Sequence, residues 1–322
     1  MDRADKIIRQ GKGDRMKYYF IVNPGSRTGK GKELWDEMHK RLEKSGRDFE
    51  VFYTKGQGDA KKAAELICKK DPDMKRIAVV GGDGTLNEVV NGIPDGAKVM
   101  LGAIPTGSSN DFVRGVGIPS NTIKAFERVL VPRYFTKIDI GRTSFPEGGE
   151  TRFAVSSSIG YDAQICHKAL TSRLKKFLNR IGKGRLVYYI TGIFLVFRCP
   201  HTKAEIIIDG KRKLSYKKLV FASAMNTRYE GGGMPMGPAA DPTDGKITMC
   251  IVHDVSRLRH LFYMPSVIKA NHVHKRGVEQ ITCHTCEIRT ESPLCVHTDG
   301  EPCGKHDRVM FGISENKLRV MV

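Results

Sequence analysis

Between residues 17 and 137, short apolar runs alternate with segments whose apolar residues recur every three or four positions. Tyr18–Val22, Glu50–Tyr53, Ile77–Val80 and Val99–Ile104 predict strands, whereas Glu33–Lys44, Ala60–Lys69 and Leu86–Asn91 predict helices. Such alternation predicts a parallel sheet covered by helices on both faces. Beyond Lys137–Gly141 strand signals dominate: Phe153–Ser157, Ala204–Asp209, Lys218–Ala224, Lys246–Val252 and Gln280–Arg289. These read as a mostly antiparallel sandwich. The predicted organisation is a flexible leader at 1–16, an α/β domain at 17–137 and a β-rich domain at 138–322. Met1–Arg15 carry no strand or helix period, Met16 is a candidate start, and no internal repeat is present.

Three of the predicted strands end in small, polar, glycine-bearing loops: Asn23-Pro24-Gly25-Ser26-Arg27-Thr28-Gly29, Gly81-Gly82-Asp83-Gly84-Thr85-Leu86-Asn87-Glu88 and Pro105-Thr106-Gly107-Ser108-Ser109-Asn110-Asp111-Phe112. Ligands of parallel α/β sheets bind outside the carboxyl ends of the strands, so these loops are placed to share one crevice. Glycines let backbone N–H groups approach a phosphate, and a helix start adds its positive dipole end. The Gly82 loop lacks the Gly-Lys-Ser/Thr ending of a P-loop and the three-glycine spacing of a dinucleotide turn. It instead carries an acid, Asp83, among the amides. A carboxylate there suits a metal ion or a proton in transit, which suggests phosphoryl transfer; taken alone, the stretch is also compatible with a structural turn.

The ordered pattern Asn-Pro-x-Ser, Gly-Gly-Asp-Gly-Thr-x-Asn-Glu and Pro-x-Gly-(Ser/Thr)-x-Asn-Asp-Phe resembles the diacylglycerol kinase catalytic family, which includes bacterial diacylglycerol kinases, sphingosine kinases and ceramide kinases. The resemblance runs from about Lys17 to the C-terminus. It continues through Ser158–Ala163, Lys183–Tyr188, Asn226-Thr227 with Gly231–Gly233, Pro238–Gly245 and Asp299-Gly300-Glu301. Two positions depart from the pattern: Arg27 stands where glycine is usual, and Ser108 where threonine is usual. Serine keeps the hydroxyl; arginine removes backbone freedom and adds a phosphate ligand.

This resemblance implies an N-terminal domain of the NAD kinase/phosphofructokinase type, a C-terminal β-sandwich and an active site between them. It implies ATP contacts by Asn23, Pro24, Ser26, Arg27, Thr54, Gly82, Asp83, Gly84, Thr85, Asn87, Glu88, Ser108, Asn110 and Asp111. Thr54 is the least specific of these, being also an ordinary strand-end threonine. Lys30 and Lys32 can neutralise phosphate or simply be solvated. Mg2+ is implied twice: near Asp83 and Asp111, and at a structural site of Asp241, Asp244 and the Lys246 carbonyl. The bland alternative for the second site is a turn held by Asx bonds. Glu301 matches the proton acceptor of the bacterial members, Asp83 is its rival, and Asp-Gly-Glu by itself is also a hairpin turn.

The chain has 322 residues and 54 Lys plus Arg against 35 Asp plus Glu, a formal charge of +19. That excess favours nucleotide, nucleic acid or an anionic membrane without choosing among them. No motif interleaving basic and aromatic residues appears, so nucleic acid is not expected. The expected partner is a lipid substrate presented at an anionic membrane surface, with a homodimer left open. No apolar run is long enough to span a bilayer, the longest being Leu186–Phe197, and no apolar signal core opens the chain. A cytoplasmic, peripherally membrane-associated protein with reduced cysteines is therefore expected.

His167–Arg185 carries seven basic residues, Lys168, Arg173, Lys175, Lys176, Arg180, Lys183 and Arg185, and no acid. Leu170, Leu174, Phe177, Leu178 and Ile181 form an apolar stripe on it, suited either to an anionic interface or to packing on its own domain. Cys283-His284-Thr285-Cys286 with Cys295, His297, Cys303 and His306 invites a zinc reading. The spacing of the second half is wrong for paired Cys-x-x-Cys units, and residues three apart on one strand face opposite sides.

Three function classes follow. The first is an ATP-dependent lipid kinase acting on a primary hydroxyl, with diacylglycerol as default acceptor. The second is a soluble-substrate kinase of the NAD kinase type, which lacks the Asn-Asp-Phe loop and the Asp-Gly-Glu element. The third is a non-catalytic anionic-lipid-binding protein, against which Asp83, Asp111 and Glu301 argue.

Overall fold

The computed structural model describes residues 16–171 and 186–322. The leader expected at 1–16 lies outside the described residues except for Met16, and so does most of the basic helix expected at His167–Arg185. The chain divides into two compact units, Met1–Ile138 with Asn316–Val322, and Asp139–Glu315.

The first unit contains β1 (Tyr18–Val22), α1 (Lys30–Lys44), β2 (Phe49–Tyr53), α2 (Asp59–Lys70), β3 (Lys75–Gly81), α3 (Asp83–Gly92), β4 (Val99–Pro105), α4 (Asp111–Val116), α5 (Thr122–Leu130) and β5 (Phe135–Ile138). The sheet order is β2-β1-β3-β4, then the C-terminal strand Leu318–Met321, then β5. The first four strands are mutually parallel. β1, β3 and β4 are buried at every residue, as a sheet covered on both sides requires. On one face α1 turns Trp35, Met38 and Leu42 onto Phe20 and, with Phe126 of α5, closes the core. Each of these fully buried side chains contributes about 1.5–3 kcal/mol. On α2, Ala60, Ala64 and Ile67 are buried, and α2 meets α3 closely. A Cβ on Gly92 of α3 would lie 2.3 Å from the Lys61 carbonyl, so glycine sets that approach.

The β-rich domain expected at 138–322 does not keep its C-terminal end: Asn316–Val322 returns to the first unit. Arg319 and Val320 pair in parallel with Met100 and Leu101 of β4, and the same strand pairs antiparallel with β5. Burial of Leu318, Val320 and Met321 holds it there.

The second unit contains β6 (Gly141–Ser144), β7 (Glu150–Phe153), β8 (Ser156–Gly160), α6 (Tyr161–Thr171), α7 (Leu186–Val196), β9 (Thr202–Ile208), β10 (Arg212–Met225), β11 (Ile247–His253), α8 (Arg257–Val267), β12 (Val278–Cys283), β13 (Cys286–Thr298) and β14 (Glu301–Ile313). The order is β12-β11-β10-β8-β13-β14-β6-β7, with β9 pairing both β10 and β13. All these pairings are antiparallel. Because β8 and β9 each bridge β10 and β13, the four strands close a ring around Ile159, Ile206, Leu219, Ala222, Ile288 and Val296.

Two expected strands are each broken. Phe153–Ser157 splits into β7 and β8 because the Ala154, Val155 and Ser156 amides turn onto the Asp299 carboxylate. Gln280–Arg289 splits into β12 and β13 because Asp209 Oδ1 accepts the amides of His284 at 2.8 Å and Thr285 at 2.9 Å. That turn also reverses the cysteine expectation. Cys283 and Cys286 do not face opposite sides; both lie in the apolar core, where burial pushes the Cys283 thiol up to about 12.

Candidate functional site

The carboxyl ends of the parallel strands present Thr54 after β2, Asn23 after β1, Gly82 after β3 and Thr106 after β4 along one edge. Side-chain bonds knit these loops together. Asn23 Nδ2 donates to Thr85 Oγ1 at 3.0 Å, and Ser26 Oγ lies 2.8 Å from Thr106 Oγ1. The Thr54 amide donates to the Val22 carbonyl at 2.9 Å, which holds the end of β2 beside β1. A Cβ on Gly107 would sit 2.5 Å from the Gly82 Cα, so the second and third loops touch backbone to backbone. Glycine at 107 is required for that approach, and a Cβ on Gly82 would lie a tight 3.1 Å from the Gly107 Cα.

Asp83 opens α3, and its Oδ1 accepts the Phe112 amide at 3.2 Å, joining the acid to the start of α4. Asn110 bonds the Gly107 amide and carbonyl at 3.1 and 3.0 Å and so closes the third loop in a left-handed conformation, φ 55°. Asp111 is buried and pairs with Arg114 at 3.1 Å. Arg27 occupies the left-handed region at φ 51°. That conformation favours the glycine usual at its position, so Arg27 holds strained backbone with an exposed side chain. Glu88 accepts the amides of Gly58 at 2.8 Å and Ala60 at 3.0 Å; its carboxylate anchors the start of α2. Ser108 is exposed, and Gly84 and Asn87 lie on the first turns of α3. Half-buried glycines, a helix start and a carboxylate at one sheet edge are an arrangement whose chemistry suits a polyphosphate and its counterion.

In the second unit, Asp299 and Gly300 form the two-residue turn between β13 and β14, at φ 47° and 85°. The hairpin reading of Asp-Gly-Glu is thus correct as geometry, and the turn presents Glu301 at the first position of β14. Asp299 Oδ2 accepts the Ala154 amide at 2.8 Å, while its Oδ1 accepts those of Val155 and Ser156 at 2.9 and 3.0 Å.

Beneath this turn lies a polar cluster that motif reading did not assemble. His297 Nε2 lies 3.1 Å from Asp162 Oδ2 and 3.3 Å from Glu230 Oε1. Ser156 Oγ donates to Glu230 at 2.6 Å, and Ser223 Oγ lies 3.3 Å from Asp162. Burial raises the Glu230 carboxyl above the usual range, and the neighbouring Asp162 charge adds to the effect. Among the described residues this trio is a group whose donor atoms are close enough to surround a metal ion. The Gly300 amide, however, donates to His297 Nδ1 at 3.1 Å. An amide only donates, so Nδ1 carries the lone pair and Nε2 the proton, the reverse of a ring that ligates metal through Nε2. The cluster is therefore a hydrogen-bonded support for the turn. The signal for it was split between Asp162 of one motif, His297 of the zinc reading and Glu230, which no motif marked.

The residues of the zinc reading, already disfavoured by their spacing, are engaged elsewhere. Cys283 and Cys286 lie in the core, and His306 bonds the Cys303 carbonyl at 2.7 Å and pairs with Glu147.

In the expected magnesium loop, Asp241 Oδ1 accepts both the amide and hydroxyl of Thr243, at 3.0 and 2.6 Å, and Asp244 Oδ1 accepts the Lys246 amide at 3.0 Å. Asx bonds thus hold the loop. Buried Asp139, which motif reading passed over, accepts the Gly245 amide at 2.7 Å and donates its own to the Pro242 carbonyl at 2.7 Å. The carboxylates and carbonyls of this loop offer the hard oxygen chemistry that suits Mg2+, and His284 Nδ1 lies 3.3 Å from the Gly245 carbonyl.

Residues 17–143 match the diacylglycerol kinase catalytic domain and residues 155–322 the YegS C-terminal NAD kinase beta sandwich-like domain. A diacylglycerol kinase of Staphylococcus haemolyticus is 30% identical, over 89% of this chain and 82% of its own. One from Staphylococcus carnosus is 28% identical over 90% of each. A crystal structure of a diacylglycerol kinase from Bacillus anthracis shares the fold with a TM-score of 0.69 at 21% identity, covering 95% of this chain and 96% of that one. With its strand-end loops built as described and both domains matched in order, the chain belongs to the diacylglycerol kinase catalytic family of lipid-kinase phosphotransferases.

Proposed function

We propose that the protein transfers the γ-phosphoryl group of ATP to the primary hydroxyl of diacylglycerol, giving phosphatidic acid. The observation that carries this reading is the contact of Gly82 with Gly107 beside Asp83, which brings two glycine loops and one acid together at the start of α3. Amides of the Gly82 and Gly107 loops cradle the phosphates, and Asn23, Ser26 and Thr85 hold those loops in register. Mg2+ bound with the nucleotide supplies charge neutralisation on the transferred group. Glu301, on its fastened turn, takes the proton of the lipid hydroxyl, a weak nucleophile that needs a nearby base. Asp241, Asp244 and the Lys246 carbonyl would hold a structural Mg2+ in the second unit, on a loop that Asp139 fastens through the Gly245 amide.

The acceptor choice rests on the names of the relatives, because acyl pockets discriminate by only a few kcal/mol. Among the described residues no helix is long and apolar enough to cross a membrane, which is compatible with a peripheral enzyme meeting its substrate at an anionic surface. The test is incubation of the purified protein with labelled ATP and diacylglycerol-bearing vesicles, with NAD in a parallel reaction. Labelled phosphatidic acid supports the proposal; label on NAD alone, or on neither, overturns it.

A further inference from the structure

Phe262 of α8 is 77% exposed, and Leu258, one helical turn before it, points the same way with Pro265 one turn beyond. On α7, Phe194 is 69% exposed, with Ile193 and, just past the helix, Phe197 also turned to solvent. These side chains are not the remains of unpacked helices. The opposite side of α7, at Leu195, Val196 and Cys199, packs in one cluster with Leu261, Met264 and Val267 of α8. A Cβ on Gly192 would meet Met264 Cε at 3.0 Å, and Arg257 Nη2 reaches the Cys199 carbonyl at 3.4 Å. Two packed helices thus each keep an apolar stripe facing water, where such side chains gain nothing.

The charge within the two stretches of chain that carry these stripes has one sign. No Asp or Glu occurs from Ala163 to Ala204 or from Val255 to Val278. Arg198, Arg259 and Lys269 are exposed beside the apolar stripes. A face that joins exposed Phe and Leu to cations, on stretches without a carboxylate, complements a surface that is apolar inside and anionic at its rim.

We propose that the outward faces of α7 and α8, carried by Phe194, Phe197, Leu258 and Phe262, dock into the headgroup and acyl boundary of an anionic phospholipid bilayer. Arg198, Arg259 and Lys269 meet the lipid phosphates. The proposal rests on the lipid-kinase reading and names the surface through which that enzyme reaches its substrate. It differs from the docking expected of the basic helix at 167–185, since it uses the two helices that follow in the chain.

The test is co-sedimentation of the full chain with vesicles of pure phosphatidylcholine or equimolar phosphatidylcholine and phosphatidylglycerol. The parent is expected to prefer the anionic vesicles, with the preference shrinking as salt rises. Replacing both Phe194 and Phe262 with Ser is expected to weaken that binding at least ~10-fold, while leaving activity on a detergent-dispersed short-chain diacylglycerol unchanged. A Phe262→Trp variant gives a reading that needs no loss of function. The chain's single tryptophan, Trp35, is buried, so a blue shift on adding anionic vesicles reports the new indole entering lipid. Equal vesicle binding by the Ser variant, or no blue shift, overturns the proposal. So does a dimer that the Ser variant dissociates without altered vesicle binding, which would assign the face to a second copy. Loss of kinase activity in the parent itself on dispersed substrate would instead sink the lipid-kinase reading and leave the vesicle result to decide the surface.

Discussion

The Gly300 amide donates to His297 Nδ1 at 3.1 Å, and through that bond the buried ring supports the turn that carries Glu301. His297 Nε2 in turn reaches Asp162 and Glu230, so one imidazole links the turn to two acids. The Asp299 carboxylate fastens the other corner of the turn with three amide bonds.

If Glu301 is the proton acceptor proposed above, replacing His297 with Ala is expected to lower kcat for the lipid about 10-fold or more, with KM for ATP unchanged, because His297 acts on the placement of that acceptor. Asn at this position retains an acceptor near Nδ1 and is expected to restore part of the rate. A merely structural role would lower the melting temperature of both variants and leave kcat of the surviving protein intact.

Asp83→Asn keeps an oxygen for the Phe112 amide and removes the charge. Turnover should fall at least ~100-fold, the low end for a base or charge-stabilising group, while the melting temperature holds. Near-normal turnover would show that Asp83 acts only as a tie between loops.

Glu301→Gln keeps shape and removes the carboxylate proposed as proton acceptor. Nucleotide binding, read by calorimetry, should persist while phosphoryl transfer fails. If ATP affinity collapses instead, Glu301 positions nucleotide or metal, and Asp83 becomes the base.

Asp244→Ala is expected to abolish any rise in melting temperature that Mg2+ gives the parent, since a ligand bound only by the folded state stabilises by mass action. The variant loses the Lys246 amide bond as well, so it should melt lower even without the ion. A magnesium-dependent shift equal to the parent's places the ion elsewhere.

His260 predicts a pH dependence of stability. Burial, with a smaller contribution from His201, lowers its pKa from 6.5 to about 4, and its ring packs edge-on to Tyr161 at 4.5 Å. The unfolded chain therefore binds the extra proton between these values, and stability falls as pH drops through that window. The loss approaches about 3 kcal/mol by its lower end. In denaturant titrations His260→Gln should flatten this acid-side slope; an unchanged slope would assign it to other groups.

Local chemistry determined much of this protein before any tertiary contact was considered. The alternation of apolar runs with helical spacing located β1 to β4 and their helices, since periodicity records which face each residue buries. The Gly82, Gly107 and Asp83 loops were legible for a related reason: glycine and acid at a strand end mark backbone chemistry that few other residues can perform. The glycine-to-arginine departure at Arg27 was visible too, although only the fold showed the left-handed backbone that the arginine must hold.

Tertiary structure alone decided what depends on partners far apart in the chain. The strand Leu318–Met321 is too short to be assigned by its own pattern, and its neighbours β4 and β5 precede it by more than the length of the second unit. Asp209 breaks an apparently continuous strand through two amide bonds across 75 and 76 positions, and so sends Cys283 and Cys286 into the same core. Asp162, Glu230 and His297 are ordinary residues where they stand in sequence. They become a single unit only when β8, β10 and β13 bring them within hydrogen-bond reach, because burial makes each polar group depend on partners that chain order does not reveal.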